Sequence, residues 1–334
     1  MTLREMNMGE MDSPNEYDFL KIAIQRGLVT EQDEIAQFKR IESGRKGENA
    51  FAEIIKQFAQ ENWLFKRNLW LHDFSDFECD YLLITTHCVY VFEIKNYFGK
   101  FEYRNGQCKS RGVAITYNPV NQAHNATIHL RNLLGGVPVK GVLVFVGEHN
   151  QVVIHDDIDY IDILCRNDVY QYIQDIISEE KQSQIRIDSQ SIISKLRSHK
   201  INNPYAIEPF ASTDMTEKNA GIFCARCGSK LTMTRKIYIN CDCGFEEYRE
   251  HLIIRSACEY GVLTYGHHFT VRDIHKFLGN VLSRNYLKSI LQKYFTELPS
   301  QKIFTFKNSS QNNVNQIIFD KPNRIILHQN RSYQ

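Results

Sequence analysis

The chain has 334 residues, of which 43% are hydrophobic and 24% charged, values that are ordinary for globular proteins of two or three domains. Its longest apolar run, residues 142–146, is far too short to span a membrane, and the polar, acidic start is unlike a signal peptide. We therefore expect a cytoplasmic protein without membrane contact, whose nine cysteines serve metal binding or packing and not disulfides.

Charge is distributed unevenly along the chain. Residues 249–334 hold twelve Lys and Arg against five Asp and Glu, a net charge of +7. Because the whole chain carries +1, the preceding residues carry −6. A basic half of this kind is typical of a protein that binds a polyanion, and nucleic acid is the partner we expect.

Three helices are predicted in the first sixty residues. A capping box with proline at the first helical position predicts a helix over 13–27. A second helix is predicted over 30–44, and a third over 47–60, where apolar residues recur at steps of three and four. Beyond packing or contact with a partner, the pattern predicts no function for residues 1–43.

Residues 79–96 are the most informative segment, because charges interrupt two apolar, β-rich runs that would otherwise be buried strands. The charged residues are Asp80, Glu93 and Lys95. Burying charges is costly unless a metal, a partner or a substrate compensates them. This segment is therefore a candidate functional site.

A symmetric turn at residues 86–87 would place Asp80 opposite Glu93, with Cβ atoms about 4.5–5.5 Å apart. The two-residue period of a strand puts Lys95 on the same face as Glu93. Two carboxylates at this distance must share a proton or a cation, and Mg²⁺ is a suitable oxygen-bound ion. The alternative is a structural ion pair at a strand end. The opposite face would also be covered, because it would carry Tyr81, Leu83, Tyr90, Phe92 and Ile94.

Strands and helices alternate after this segment, which indicates an α/β layered core. A polar hairpin is predicted at 98–112, a helix capped by Asn118, and a short buried strand at 141–147. Gln122, near the start of that helix, could orient a water or a phosphate, or could face solvent. Glu48, at the start of the helix predicted over 47–60, could be catalytic, or could only interact favourably with the helix dipole.

Four motifs of this region resemble, in order and spacing, the nuclease-related (NERD) domain. They are GENA at 47–50, ECDYLLIT at 78–85, VFEIKNYFGK at 91–100 and NPVNQ at 118–122. An Asp followed by Glu-Ile-Lys also resembles the PD-(D/E)xK nuclease signature, although no proline precedes the Asp here. The resemblance covers residues 44–150.

The resemblance implies a restriction-endonuclease-like fold, in which a mixed sheet is flanked by helices. It also implies Asp80 and Glu93 as metal ligands and Lys95 as the catalytic lysine. Glu48 and Gln122 would reach in from the flanking helices.

Two cysteine pairs occur further along the chain, Cys224-x-x-Cys227 and Cys241-x-Cys243. Four thiolates at this spacing predict a closed tetrahedral Zn²⁺ site, which would stabilise a segment too short to bury a core. With a hairpin predicted over 230–240, the segment resembles a zinc ribbon. The second pair departs from the usual Cys-x-x-Cys. A complete set of four ligands favours a structural zinc over a catalytic one.

The basic tail contains two predicted helices, 270–279 and 283–295, joined by a short turn as in a helix-turn-helix. In a winged helix, Arg284, Asn285 and Lys288 would lead the recognition helix and contact DNA. The alternative is a helical module that only packs on the zinc ribbon. The predicted wing is a hairpin of residues 303–306 and 316–319.

The predicted domains are a helical segment 1–43, the nuclease-related domain 44–202, a linker 203–221, the zinc ribbon 222–248 and the winged-helix-like tail 249–334. We expect a nuclease that cleaves DNA and uses Mg²⁺ or Mn²⁺, with a role in defence against foreign DNA by analogy. The main alternative is a catalytically inactive adapter that binds nucleic acid or recruits a helicase. A transcription regulator is a further alternative, in which the tail does the work.

Overall fold

The computed structural model describes residues 4–6, 8, 15–211, 214–234, 236–298 and 304–308. Contacts between Cα atoms divide the chain into two compact units, one of Met1–Gly9 with Arg40–Pro204 and one of Glu10–Lys39 with Tyr205–Gln334. This division groups residues 10–39 with the tail. The domain boundaries inferred from the sequence remain predictions. Within the described ranges, no helix is both long and apolar enough to cross a membrane.

The secondary structure consists of eight helices and sixteen strands within the described part of the chain. The helices are α1 (Glu16–Gln25), α2 (Gln32–Gln57), α3 (Pro119–Leu134), α4 (Asp168–Gln182), α5 (Ser189–His199), α6 (Arg249–Leu263), α7 (Val271–Phe277) and α8 (Arg284–Tyr294). The strands are β1 (Arg4–Glu5), β2 (Leu64–His72), β3 (Asp76–Ile84), β4 (Val89–Lys95), β5 (Gly99–Arg104), β6 (Gln107–Ser110), β7 (Val113–Ala114), β8 (Val139–Phe145), β9 (Asn150–Ile154), β10 (Asp162–Cys165), β11 (Ile222–Phe223), β12 (Lys230–Leu231), β13 (Tyr238–Asn240), β14 (Glu246–Tyr248), β15 (Phe269–Thr270) and β16 (Thr305–Phe306).

The first unit is built on a six-stranded mixed sheet with the order β1-β2-β3-β4-β8-β10. β3 is antiparallel to both β2 and β4, whereas β8 is parallel to both β4 and β10. Helices cover both faces: Ala126 of α3 and Ile192 of α5 pack on one face, and Phe51 of α2 and Ile173 of α4 pack on the other. The predicted α/β fold, with a mixed sheet flanked by helices, is confirmed.

A second, four-stranded sheet with the order β7-β6-β5-β9 belongs to the same unit. Phe101 and Tyr103 of β5 are buried in a core shared with Phe145 of β8. Asn105 and Gly106 join β5 to β6 with φ angles of 51° and 73°. Both values suit an Asn-Gly turn within the hairpin predicted over 98–112, because the favoured hairpin turn needs positive φ at both central residues.

Helix α2 runs without a break from Gln32 to Gln57, so the prediction of two helices over 30–44 and 47–60 is wrong. Gly47 lies inside the helix, and a Cβ added to it would come 2.7 Å from Cβ of Asn96 and 3.0 Å from Val146. The glycine therefore allows α2 to pack closely on the sheet and does not interrupt the helix. At α1, Asn15 is the N-cap, whereas Ser13 lies outside the described residues.

The core of the second unit includes α1 as well as the helices of the tail. Phe19 and Ala23 of α1 are buried with Leu252 of α6, Phe277 of α7 and Leu291 of α8. Residues separated by more than two hundred positions thus share one hydrophobic core. The N-terminal helix is a structural part of the tail unit.

A buried ion network in the second unit links α1 to α6. Arg26, which follows α1, donates to Glu259 of α6 at 2.7 Å and lies over the ring of Phe277, 3.7 Å from its centroid. Arg255 binds both Glu259 and, at 2.8 Å, Glu247 of β14. Because all four charges are paired, their burial is compensated.

Candidate active site

The candidate site begins at the turn between β3 and β4. The amide of Thr85 donates to the carbonyl of Cys88 at 3.1 Å, so residues 86–87 form the predicted two-residue turn. The pairs beyond the turn keep this register as far as Tyr81 opposite Phe92, so Asp80 and Glu93 lie just beyond the last pair. The predicted register is therefore confirmed up to Tyr81 and Phe92, whereas the predicted pairing of Asp80 with Glu93 is not among the strand pairs. The side chains predicted for the opposite face, Tyr81, Leu83, Tyr90, Phe92 and Ile94, lie together in the core beneath α2 and α4.

β3 and β4 separate at this point. Their pairing ends at Tyr81 opposite Phe92, whereas β3 stays paired with β2 from Asp76 onwards. β4 continues beside β8 as far as Lys95. Asp80 therefore lies where the sheet opens between two of its central strands, a position in which a ligand can approach side chains that strand pairing would otherwise enclose.

The direction of the β3 side chains changes at Asp80. Cys79 and Leu82 both face the core beneath α3 and α5, although strict alternation would place residues three positions apart on opposite faces. On β2, Asn68 lies opposite Asp80 and is missing from the paired register. Its φ of 49° is in the left-handed region, which asparagine tolerates better than most residues. Both strands therefore turn together at this pair.

Each carboxylate of the site has a defined hydrogen-bond partner. Oδ2 of Asp80 accepts from the backbone amide of Ile94 at 2.8 Å. Oε1 of Glu93 lies 2.6 Å from Nζ of Lys95, and the side chains of this pair are only 9% and 19% exposed. Within the described residues, Oδ1 of Asp80 accepts no hydrogen bond. The site thus presents two fixed carboxylates with oxygens available for a further partner.

The electrostatics of the site favour an added cation. Burial, and then the neighbouring Glu93 carboxylate, raise the pKa of Asp80 well above its ordinary value. Burial disfavours the ammonium of Lys95, but the carboxylates of Glu93 and Asp80 outweigh this effect and raise the pKa of Lys95. When both carboxylates are ionised beside the one ammonium, one negative charge is in excess, and hard oxygen ligands suit Mg²⁺ or Mn²⁺. The donor set of Asp80 and Glu93 therefore fits a divalent cation.

Glu48 lies in the middle of α2 and not at its start. The alternative to a catalytic role, a favourable interaction with the dipole at the start of a helix, is therefore wrong. Oε2 of Glu48 accepts a hydrogen bond from Nη2 of Arg67 on β2 at 3.2 Å. The same nitrogen also donates to Oδ1 of Asn49 at 2.9 Å. Arg67 is paired in the sheet with Tyr81, the neighbour of Asp80. No sequence pattern indicated Arg67, because its role depends on how α2 packs against β2. In the described part of the chain, no hydrogen bond or ion pair links Glu48 to Asp80 or Glu93.

Gln122 lies near the start of α3, where its backbone amide donates to the carbonyl of the N-cap Asn118 at 3.0 Å. Its side-chain oxygen is buried and has no hydrogen-bond partner among the residues that the structure describes. A buried acceptor of this kind suits a bound water or a polar group of a ligand. In the described part of the chain, Lys95 therefore donates no hydrogen bond to this oxygen.

Comparison with known families agrees with the motifs. Residues 43–146 match the family model of the nuclease-related domain. This part of the chain is a nuclease-related domain. No curated protein and no solved structure matched the chain. The nuclease-related domain implies nuclease-related chemistry, use of a divalent metal and binding of nucleic acid.

Outside the nuclease-related domain, four cysteines form a second metal-binding group. The Sγ atoms of Cys224, Cys227, Cys241 and Cys243 all lie within 4.8 Å of one another. Two of these distances are 3.7 Å and 3.4 Å, close to the roughly 3.8 Å separation in a tetrahedral site with Zn–S bonds of about 2.3 Å. Hydrogen bonds with Ser229 lower the pKa of Cys227 to about 6, which favours the thiolate. The group can hold zinc.

Each cysteine pair occupies its own short hairpin. β11 pairs with β12 around Cys224 and Cys227, and β13 pairs with β14 around Cys241 and Cys243. The hairpin predicted over 230–240 is therefore wrong, because its two strands pair outward with the flanking strands and not with each other. Two cysteine hairpins facing one another agree with the resemblance to a zinc ribbon.

The tail contains the predicted pair of helices, α7 and α8, after the buried helix α6. Arg284 and Asn285 are exposed in the first turn of α8, whose N-cap is Ser283. Lys288 is half-buried, and its ammonium lies 3.2 Å from the ring centroid of Phe304. β16 pairs with β15, whereas residues 303 and 316–319 of the predicted wing lie outside the described residues. DNA contact by α8 remains a prediction.

Proposed function

We propose that this protein is a nuclease that hydrolyses phosphodiester bonds of DNA with the help of Mg²⁺ or Mn²⁺. The observation that carries the proposal is the meeting of Asp80, Glu93 and Lys95 where β3 and β4 separate. Their presence within a matched nuclease-related domain supports the same reaction class.

The residues of the site divide the proposed reaction between them. Asp80 and Glu93 would hold the divalent cation, which supplies Lewis-acid polarisation of the phosphodiester and lowers the pKa of a bound water. The Ile94 amide fixes the orientation of the Asp80 carboxylate. Lys95 would orient the attacking water, or stabilise the negative charge that develops on the phosphoryl oxygens.

Glu48 and Gln122 have supporting roles in this proposal. The buried, unpartnered oxygen of Gln122, as judged from the described residues, is suited to orient a water or a substrate group. The ion pair of Glu48 with Arg67 ties α2 to the strand beside Asp80, which would keep the site in shape.

The second unit would hold the substrate. A structural zinc bound by the four cysteines would stabilise the two hairpins, while Arg284, Asn285 and Lys288 of α8 would contact DNA. Phosphate contacts of this kind supply affinity more than sequence preference. By analogy with other nucleases, we propose foreign DNA as the target.

A nuclease assay tests the proposal directly. Purified full-length protein is incubated with Mg²⁺ or Mn²⁺ on linear and circular, single- and double-stranded DNA and on RNA. We expect metal-dependent cleavage of DNA that is lost in the Asp80→Asn variant. Nucleic-acid binding without cleavage of any of these substrates would contradict the proposal and favour the alternative, an adapter that recruits a partner such as a helicase.

A further inference from the structure

The outward face of the four-stranded sheet in the first unit is basic. Residues 99–114 contain four Lys and Arg against one acid, Glu102. The side chains of β5 alternate, so that Phe101 and Tyr103 are buried against the core while Lys100 and Arg104 are exposed. We call the surface formed by Lys100, Arg104, Lys109 and Arg111 the basic face.

Much of the positive charge on the basic face is uncompensated. Glu102 lies 3.2 Å from Lys100 and 2.9 Å from His155, so its charge is already shared. Lys109 and Arg111 form no ion pair within the described part of the chain. The nearby Asp156 accepts from the backbone amides of the 105–106 turn and also interacts with the charge of Arg104, which leaves Lys109 and Arg111 as the uncompensated charges. An exposed surface with this charge is complementary to a polyanion.

Arg111 is held in an unusual backbone conformation. Its φ of 50° lies in the left-handed region, which is uncommon for a residue other than glycine, asparagine or aspartate. Its side chain passes over Gly99, where an added Cβ would be 3.1 Å from Cγ of Arg111. A strained arginine kept at this point suggests a functional reason for its position.

The basic face begins next to the candidate catalytic lysine. Four Cα steps separate Lys95 from Gly99, so at most about 14 Å lies between them. The chain between Lys95 and Gly99 is held in place by two contacts. The amide of Gly99 donates to the carbonyl of His149 at 3.1 Å, and the carbonyl of Tyr97 lies where a side chain at Gly147 would be. A substrate strand bound along the basic face would therefore have to bridge at most about 14 Å from the start of this face to Lys95.

Two exposed aromatic rings lie at the ends of the basic face. Phe98 is 54% exposed and directly precedes β5. Tyr117 is 77% exposed and precedes Asn118, whose side chain donates to the carbonyl of Gly106 at the far end of the β5–β6 hairpin. Exposed rings beside basic side chains are the usual means of holding unpaired bases together with their phosphates.

We propose that the basic face binds single-stranded nucleic acid and guides it into the site at Asp80. The binding stands on the basic face alone, whereas cleavage of the guided strand rests on the proposed nuclease function. Lys109 and Arg111 contact the phosphates, and Phe98 and Tyr117 stack on unpaired bases. Single strands are favoured over duplex because bases within a duplex do not expose their flat faces to these rings.

The test measures binding in full-length protein that carries Asp80→Asn, without added divalent cation, so that hydrolysis plays no part. Fluorescence anisotropy follows a labelled single-stranded oligonucleotide, about 20 nucleotides long to exceed the site size of one binding module, over a series of salt concentrations. Lys109→Gln with Arg111→Gln should weaken binding about tenfold and reduce the salt slope by about 1.4, since each phosphate contact on a single strand contributes about 0.7. Lys56→Gln with Lys181→Gln, on the exposed surfaces of α2 and α4, is the control of equal charge.

Phe98→Ala with Tyr117→Ala tests the stacking. We expect a loss of about 30-fold or more for the single strand, because the stacking of two bases is removed together, and little change for a duplex of the same sequence. An equal loss for both would overturn the preference for single strands. If the charge variant keeps the affinity and the salt slope of the control, the basic face does not bind nucleic acid, and this result holds whether or not the wild type cuts DNA. Unchanged thermal midpoints would show that the variants are folded.

Discussion

Asp80 accepts a 2.8 Å hydrogen bond from the backbone amide of Ile94, the residue between Glu93 and Lys95. Where β3 and β4 stop pairing, this side chain takes over a contact that the strand backbone no longer makes. The bond fixes the distance between the two strands that carry the site. It therefore links the opening of the sheet to the geometry of the proposed catalytic group.

Asp80→Asn should abolish DNA cleavage without unfolding the protein. The amide oxygen can still accept from Ile94, whereas the negative charge needed for a divalent cation is lost. The matched control is Asp76→Asn, which changes an exposed aspartate on the same strand. Cleavage is followed on linear DNA with Mg²⁺, and folding by circular dichroism. Full activity of Asp80→Asn would show that the metal site lies elsewhere.

Gly47→Ala should destabilise the protein, whereas Gly44→Ala should not. An alanine at 47 would bring its Cβ to 2.7 Å from Asn96, and overpacking of this kind costs about 1–3 kcal/mol. Gly44 is in the same helix with nothing within 4 Å, so alanine there should stabilise by about 0.4–1 kcal/mol. Urea unfolding of the two variants measures the difference, and equal effects would mean that α2 does not pack as described.

About one equivalent of zinc should copurify with the protein. Cys224→Ser or Cys243→Ser should release it and lower the thermal stability of the second unit, because metal binding contributes to folding. Cys165→Ser is the control, since this cysteine belongs to the first unit. Elemental analysis gives the zinc content. Wild-type protein without zinc would contradict the assignment.

Glu259→Gln should destabilise the second unit by about 3–5 kcal/mol at pH 7, because it leaves two buried arginines with one carboxylate fewer. Burial would raise the pKa of Glu259, but Arg255 and Arg26 outweigh burial and lower it. The charge therefore stabilises the fold above the unfolded pKa of about 4.3, and this contribution is lost as pH falls through the folded pKa.

The stability difference between wild type and Glu259→Gln should therefore shrink as the pH falls below about 4.3. Denaturant midpoints from neutral to acidic pH measure it, and the comparison cancels any effect of zinc loss common to both proteins. Glu246→Gln is the control, because this glutamate is exposed. A difference that grows towards low pH would mean that Glu259 is not held as a carboxylate.

Affinity for duplex DNA should fall steeply with salt, with a slope of about −0.9 for each phosphate contact. Arg284→Gln should weaken binding more than Lys288→Gln, since Arg284 is exposed whereas the ammonium of Lys288 lies against Phe304. Point variants are preferable to truncation after Tyr205, which would leave Phe19 and Ala23 of α1 without their core. If both variants bind like wild type, α8 does not contact DNA.

Local patterns predicted the centre of the site well. The register that brings Asp80 and Glu93 to the end of the β3–β4 pairing follows from a two-residue turn and the period of a strand, so it needs no knowledge of distant residues. The cysteine group was likewise predictable from spacing, since Cys224 and Cys227 lie in one tight hairpin.

Other features depend on contacts that the local sequence does not encode. Gly44 and Gly47 predicted a helix break, but packing against Asn96 outweighs the cost of glycine in a helix. Helix α5 was not predicted, because only Ile192, Ile193 and Leu196 of its eleven residues are buried. The arrangement of Glu48 and Arg67 requires α2 to pack on β2, which no periodicity shows.

The shared core of α1 and the tail also bears on synthesis of the chain. Ala23 emerges from the ribosome long before Leu291, which belongs to the same core. At about 5–20 residues per second, roughly 10 to 50 s pass between them. During that time the residues of the first unit can fold, whereas the apolar side of α1 has no core to join. The order of translation thus makes the first part of the chain among the last to reach its native contacts.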